Sequence, residues 1–305
     1  MALAVLLFVL AGCSSAAVDA SGRTIIRIAY LPITHSAAVM VLPQVTKDDE
    51  NFHVQLERFT AWPEVVEALR AGHVDGASIL FEVAVRAFEM DNSLRAVSLS
   101  HRDGNVIVVD NTVRGYQDLI GRTVAIPHAL SPHNTLLRMV FEREGIDVND
   151  VNLIDLSPTE MPFTMAARAI SAYVVAEPWG SLAEARGVGH ILETSNEILP
   201  DSVCCVMLFN SNIFDRHDGL YDWFMEQFAA AAALAQARHE MVMEAFRRST
   251  SFERYIIERS LENTNFENLE FTLADFEIIT ENILRLGVLD EVPDFNDFIL
   301  GGCCR

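Results

Sequence analysis

Lysine is almost absent from this chain. Of its 22 basic residues only Lys47 is a lysine, against 43 acidic residues and a net charge of −21. Such a surface repels nucleic acid and anionic lipid and offers no long basic patch. DNA and RNA are therefore excluded as partners. The single lysine lies among Asp48, Asp49 and Glu50 in a polar connector, a poor setting for a Schiff base with a cofactor aldehyde. No G-x-S-x-G elbow is present for serine-based hydrolysis. Catalytic residues and cofactors are accordingly not expected. Beyond the first dozen residues no segment is long and apolar enough to cross a membrane; Ala229 to Ala237 comes nearest, but charges flank it and it reads as a packed helix. Cysteine is scarce as well, with five in total. Apart from Cys13 they form the adjacent pairs Cys204-Cys205 and Cys303-Cys304, and neither pair has zinc-ligand spacing. No metal ligand set is read from these spacings, and any disulfide connectivity stays open.

What the chain does have is length and apolar content: 305 residues, half of them hydrophobic. That is too much for one simple core and suits two α/β lobes. Ala2 to Ala11 is an unbroken apolar run of signal-peptide length, closing on Leu10-Ala11-Gly12-Cys13. The ending resembles a bacterial lipobox, in which the cysteine sulfur receives diacylglycerol. Cys13 is thus the expected lipidation site, with residues 1–13 the signal peptide and 14–23 a linker. No lysine or arginine precedes the run, which would suit a start site further upstream. The expected location is the extracytoplasmic face of the cell membrane, held by the lipid.

After the linker, β-branched runs alternate with helical spacing. Ile25 to Leu31, Val54 to Phe59 and Gly76 to Leu80 read as strands. Pro63 suits the first turn of a helix, and Glu64 is favourable at its positive end. The pattern repeats with strands at Thr123–Ile126, Val151–Leu156 and Ala172–Ala176 and a helix from Ser131 to Glu144. Alternation of this kind predicts doubly wound, largely parallel sheets. From Leu220 the chain reads as helical, with Thr272 to Asp275 as a capping box. Two similar α/β units imply two lobes, with a cleft between them suited to a small ligand.

Several short motifs now fall into one order. They are Ile28-Ala29-Tyr30-Leu31-Pro32-Ile33-Thr34-His35, Trp62-Pro63-Glu64, Ala71 to Ala77, His101-Arg102-Asp103-Gly104-Asn105, Gly121 to Pro127, Ser131-Pro132-His133-Asn134 and Val175-Ala176-Glu177-Pro178-Trp179. Together, behind a lipobox, the set resembles the nitrate/sulfonate/taurine (NitT/TauT) family of ABC-importer substrate-binding lipoproteins. The resemblance implies a type II periplasmic-binding-protein fold, two doubly wound α/β lobes joined by a two-strand hinge. It places residues 24–110 and 205–305 in one lobe and 111–204 in the other, with crossovers near Val106–Asn111 and Cys204–Asn210. It also implies a monomer that captures a small anionic or zwitterionic solute and delivers it to ABC permease subunits.

Six residues are carried over as ligand-binding candidates. Trp62 matches a tryptophan that walls the pocket of nitrate and bicarbonate binders, and is equally read as core. Asn105 holds the place of a polar amide that can donate or accept; a turn residue is the equal alternative. His133 lies at a helix start, where free N–H groups favour anions and Ser131 can cap. Thr34 and His35 follow a strand at its carboxyl end, where open α/β sheets bind ligands. Glu177 either pairs with a ligand cation or holds the hinge through hydrogen bonds.

The chain departs from the nitrate and bicarbonate binders, which use a lysine in their second half. Asp103, Glu177, His35, His101 and His133 together suit a zwitterion, and a flat heterocycle such as a thiamine-precursor pyrimidine suits Trp62. Two rivals come from other classes. One is a pyrimidine-synthase-like enzyme, opposed by the missing lysine; the other is a metal binder using His101, His128, His133 and the cysteines. In a regular strand Cys204 and Cys205 would point to opposite faces, so only one is expected at the cleft.

Overall fold

The computed structural model describes residues 17–301; Cys13, Cys303 and Cys304 lie outside them. The first lobe opens with β1 (Thr24–Tyr30), α1 (Ala37–Val45), β2 (Phe52–Arg58), α2 (Trp62–Arg70), β3 (Gly76–Leu80), α3 (Phe81–Met90) and β4 (Leu94–Leu99). The chain then passes through β5 (Arg102–Asp103) into β6 (Asn105–Asp110), β7 (Thr123–Ile126), α4 (Pro132–Glu144), β8 (Asn152–Asp155), α5 (Met161–Ala166), β9 (Ala172–Ala176), α6 (Trp179–Ala185), β10 (Gly189–Thr194) and α7 (Ser195–Ile198). It returns through β11 (Cys205–Asn210) to α8 (Asn212–Arg216), α9 (Leu220–Gln236), α10 (Glu240–Ser249), α11 (Arg254–Ser260), β12 (Thr264–Asn265), α12 (Leu273–Arg285) and α13 (Phe295–Phe298).

Two five-stranded sheets result, in the orders β2-β1-β3-β11-β4 and β10-β6-β9-β7-β8. In the first, β1 runs parallel to β2 and β3, because helices make the crossovers. The returning β11 is antiparallel to both β3 and β4. The second sheet repeats the plan: β7 is parallel to β8 and β9, and β6 is antiparallel to β9 and β10.

Both sheets are covered on both faces, as their apolar strands require. In β11, Val206 and Leu208 enter one core while Met207 and Phe209 enter the opposite one. In β6, Ile107 and Val109 face one side and Val106 and Val108 the other. The capping box at Thr272 forms as expected: its hydroxyl accepts from the Asp275 N–H. Asp275 also takes a two-toothed ion pair from Arg102 at 2.8 and 2.9 Å, fastening α12 beside the passage between lobes.

One boundary differs from the sequence reading. The resemblance implies residues 105–110 in the first lobe, yet β6 is hydrogen-bonded along its length within the second sheet. The outward passage therefore lies at Asp103-Gly104, both in the left-handed region, with φ of 56° and 88°. The return passage runs beside it, since Asp103 N–H donates to Ser202 O at 2.9 Å and Arg102 bridges Val203.

Candidate functional site

The two passages bring distant residues together. His35 follows β1, His101 precedes β5, and Cys204 and Cys205 stand where the chain re-enters the first sheet. All four are buried, and their ligand atoms lie within 4.8 Å of one another. Among the described residues they form the one His/Cys/Asp/Glu group arranged closely enough to hold a metal ion. The His35 and His101 rings stack with centroids 3.7 Å apart. His35 Nδ1 is 3.6 Å from Cys204 Sγ and 3.8 Å from Cys205 Sγ, and the two sulfurs are 3.8 Å apart.

Both cysteines thus face the same group, contrary to the alternation expected of a strand. The reason is local: β11 begins only at Cys205, so Cys204 is free of the pleat. Burial opposes ionisation of both thiols, but the Cys205 thiol and His35 outweigh it at Cys204 and hold it well below the ordinary range. Cys205 moves the other way, raised by burial and by its neighbour. Burial lowers His101 to about 4, with His35 adding to the effect, and burial likewise lowers His133 to about 4. At neutral pH these two imidazoles are uncharged.

The six carried-over residues divide into two groups. His35, Trp62, Asn105 and His133 are buried and keep polar atoms without hydrogen-bond partners: His35 Nε2, Trp62 Nε1, both amide atoms of Asn105 and both ring nitrogens of His133. Buried polar groups are nearly always paired, and these four residues leave theirs unpartnered within the chain. Cys204, His35 and His101 lie close enough to His133 to influence its titration. His133 is at the second position of α4, and Ser131 caps that helix by accepting from Asn134 N–H. Trp62 packs in the same core as Cys204, Cys205 and the second lobe's Ala176 and Trp179.

Thr34 and Glu177 do structural work instead. The Glu177 carbonyl accepts from both Thr34 N–H and Thr34 Oγ1, and the Glu177 carboxylate is engaged by Ser181 N–H, Ser181 Oγ and Asn263. Asp103 is similarly spent, accepting from Ser202 and Asn196. Neither carboxylate is spare to meet a ligand cation. His128, grouped with His133 in the metal reading, accepts from Leu130 N–H in its own turn. Lys47 is surface-exposed beside Asp48, far from any Schiff-base role.

The sequence offers His101 and the cysteines only to a metal-binding rival, together with His128 and His133, and not to the set of ligand-binding candidates. A cleft of about 490 Å³ opens between the lobes, lined by Glu82, Pro132, Thr135, Val203, Ile279 and Asn282 among others. Glu82 Oε1 accepts from Thr135 Oγ1 across it at 2.8 Å.

The profile of the NMT1-like family matches residues 19–249. The chain belongs to this family. A solved neighbour of the NMT1-like chain is the ligand-binding component of an ABC-type import system from Staphylococcus aureus, with zinc bound; it is 27% identical, with a TM-score of 0.85, covering 90% of this chain and 96% of that one. The periplasmic nitrate-binding protein NrtA of Synechocystis shares the fold at 16% identity and a TM-score of 0.76, over 90% and 84% of the two chains. Among curated proteins, the bicarbonate transport ATP-binding protein CmpC of Synechocystis is 26% identical over 200 residues, 57% of this chain. The match spans only 29% of that relative's length. These likenesses bear out the NitT/TauT resemblance and the two-lobed periplasmic-binding-protein fold.

Proposed function

We propose that this chain is the solute-binding component of an ABC-type importer, which closes its two lobes on a small solute and does no chemistry on it. The observation that carries this reading is the set of unpartnered buried polar atoms on His35, Asn105, His101 and His133, gathered where the chain passes between lobes. A solute held there would satisfy groups contributed from both sides, and its binding energy would favour the closed arrangement. Solved neighbours described as nitrate-binding and as alkanesulfonate-binding with MOPS bound support a small anionic or zwitterionic solute class. The partners on this reading are permease subunits and, through a lipid on Cys13, the outer face of the membrane. Mass spectrometry of small molecules released from protein purified from its host tests the reading. A stoichiometric solute, with a raised melting temperature on adding it back, is expected; no released or stabilising solute would sink it. Cys13→Ala should move the protein from the membrane fraction to the soluble one, and a wild type without lipid would refute the anchor.

A further inference from the structure

We infer that His35, His101, Cys204 and Cys205 bind one zinc-class metal ion, tying the loop after β1 to both passages between the lobes. This deepens the importer reading and rests on it. The case begins with geometry. Tetrahedral zinc with bonds of about 2.3 Å to sulfur and about 2.0 Å to nitrogen holds two sulfurs about 3.8 Å apart and sulfur from nitrogen about 3.6 Å. Cys204 Sγ, Cys205 Sγ and His35 Nδ1 form a triangle with edges of 3.8, 3.6 and 3.8 Å, matching one face of that tetrahedron. An isolated thiol–imidazole contact accounts for one such edge; it does not account for all three closing on each other.

His101 supplies the fourth donor. Its ring is stacked on His35 and fully buried, and neither of its nitrogens has a hydrogen-bond partner. An ion bound to one of them removes that cost. Charge is balanced too. Any proton a cysteine still holds leaves to the buffer as its S–metal bond forms, so two thiolates and two neutral imidazoles cancel a divalent ion. The neutral product avoids the penalty of burying a net charge. A donor set of two sulfurs and two nitrogens selects zinc over calcium or magnesium, which demand oxygen.

Position gives the site its consequence. His35 belongs to the first loop, His101 to the outward passage and the cysteines to the return. One ion joins three segments that sequence separates widely, and it does so at the hinge. Binding should therefore stiffen the first lobe's side of the hinge, where both passages leave and re-enter its sheet.

The test uses the full chain stripped of metal with a chelator under reducing conditions. Titration with Zn²⁺ should show one equivalent per chain, with heat that depends on the buffer's ionisation because protons are released. Co²⁺ should give intense near-ultraviolet thiolate bands and the visible bands of a tetrahedral ion. C204S/C205S should lose the thiolate bands and weaken zinc binding by more than about 100-fold, since even outer-shell changes cost up to that. His101→Gln, which leaves the sulfurs in place, should weaken binding while retaining the thiolate bands. Absence of stoichiometric binding, or affinity unchanged in C204S/C205S, would overturn the inference. A protein that fails these tests but still releases a specific organic solute leaves the importer reading standing, and one that binds zinc yet gains nothing from any solute isolates the metal site from it.

Discussion

Gly104 and His35 are in contact that only glycine permits. A Cβ on Gly104 would stand 2.8 Å from His35 Nε2 and 2.7 Å from Thr264 Oγ1, and the backbone there has φ +88°. The outward passage between lobes thus presses directly on the histidine that stacks with His101.

Gly104→Ala should therefore cost about 1–3 kcal/mol through backbone strain alone, with the displaced imidazole adding to it. Urea denaturation measures the cost, and solute affinity should fall with it. Gly115→Ala is the control, because Gly115 is extended and has nothing within 4 Å of its Cβ position. Equal effects at the two sites would remove the argument for a close approach at Gly104.

Thr34 and Glu177 clasp the lobes. Thr34 Oγ1 donates to the Glu177 carbonyl at 3.0 Å and accepts from Thr264 Oγ1 at 3.1 Å. Thr34→Val keeps the shape and the Thr34 N–H bond to the Glu177 carbonyl but loses both hydroxyl bonds, at about 0.5–1.5 kcal/mol. A stability indistinguishable from wild type in urea would show that the clasp contributes nothing.

Glu82 should make the metal-free protein lose stability as pH rises. Burial pushes its carboxyl from 4.5 up to about 8, so the folded state keeps a proton that the unfolded chain has lost across that window. The contribution is intact below the unfolded value of 4.5 and is lost progressively up to about 8. The loss is on the order of a few kcal/mol. Glu82→Gln should flatten the dependence over that range in denaturation curves taken from pH 5 to 8. A slope unchanged in the variant would assign it to another group.

On the proposed reading His133, with Asn105, comes to the site from the second lobe. Its imidazole is neutral at pH 7, so its hydrogen bond to a solute is an uncharged one, and His133→Ala should lose about 1 kcal/mol of binding. Calorimetry with the released solute checks this. The fold should survive, since Ser131 still caps α4. An unchanged affinity would place the solute away from His133.

How much of this was legible in the chain itself can be argued from particular residues. The alternation of β-branched runs with helical spacing was enough for two α/β units, because buried parallel strands must be apolar on both faces. The cap at Thr272 and the helix start at Ser131 are set by neighbours three residues away, so local chemistry decides them. The motif order around His35, Trp62, Asn105 and His133 located the polar residues that remain unpartnered in the fold.

Other features depend on partners far along the chain. Glu177 and Asp103 looked available for a ligand cation, and only folding brings Ser181, Asn263, Ser202 and Asn196 to consume them. The four-residue group at the hinge has no spacing signature, because His35 meets Cys204 across 169 positions. Its existence depends on two chain passages lying side by side and on β11 starting one residue late, which frees Cys204 from the pleat. Composition and local pattern determined the layers; the crossing of the chain between them decided which side chains meet.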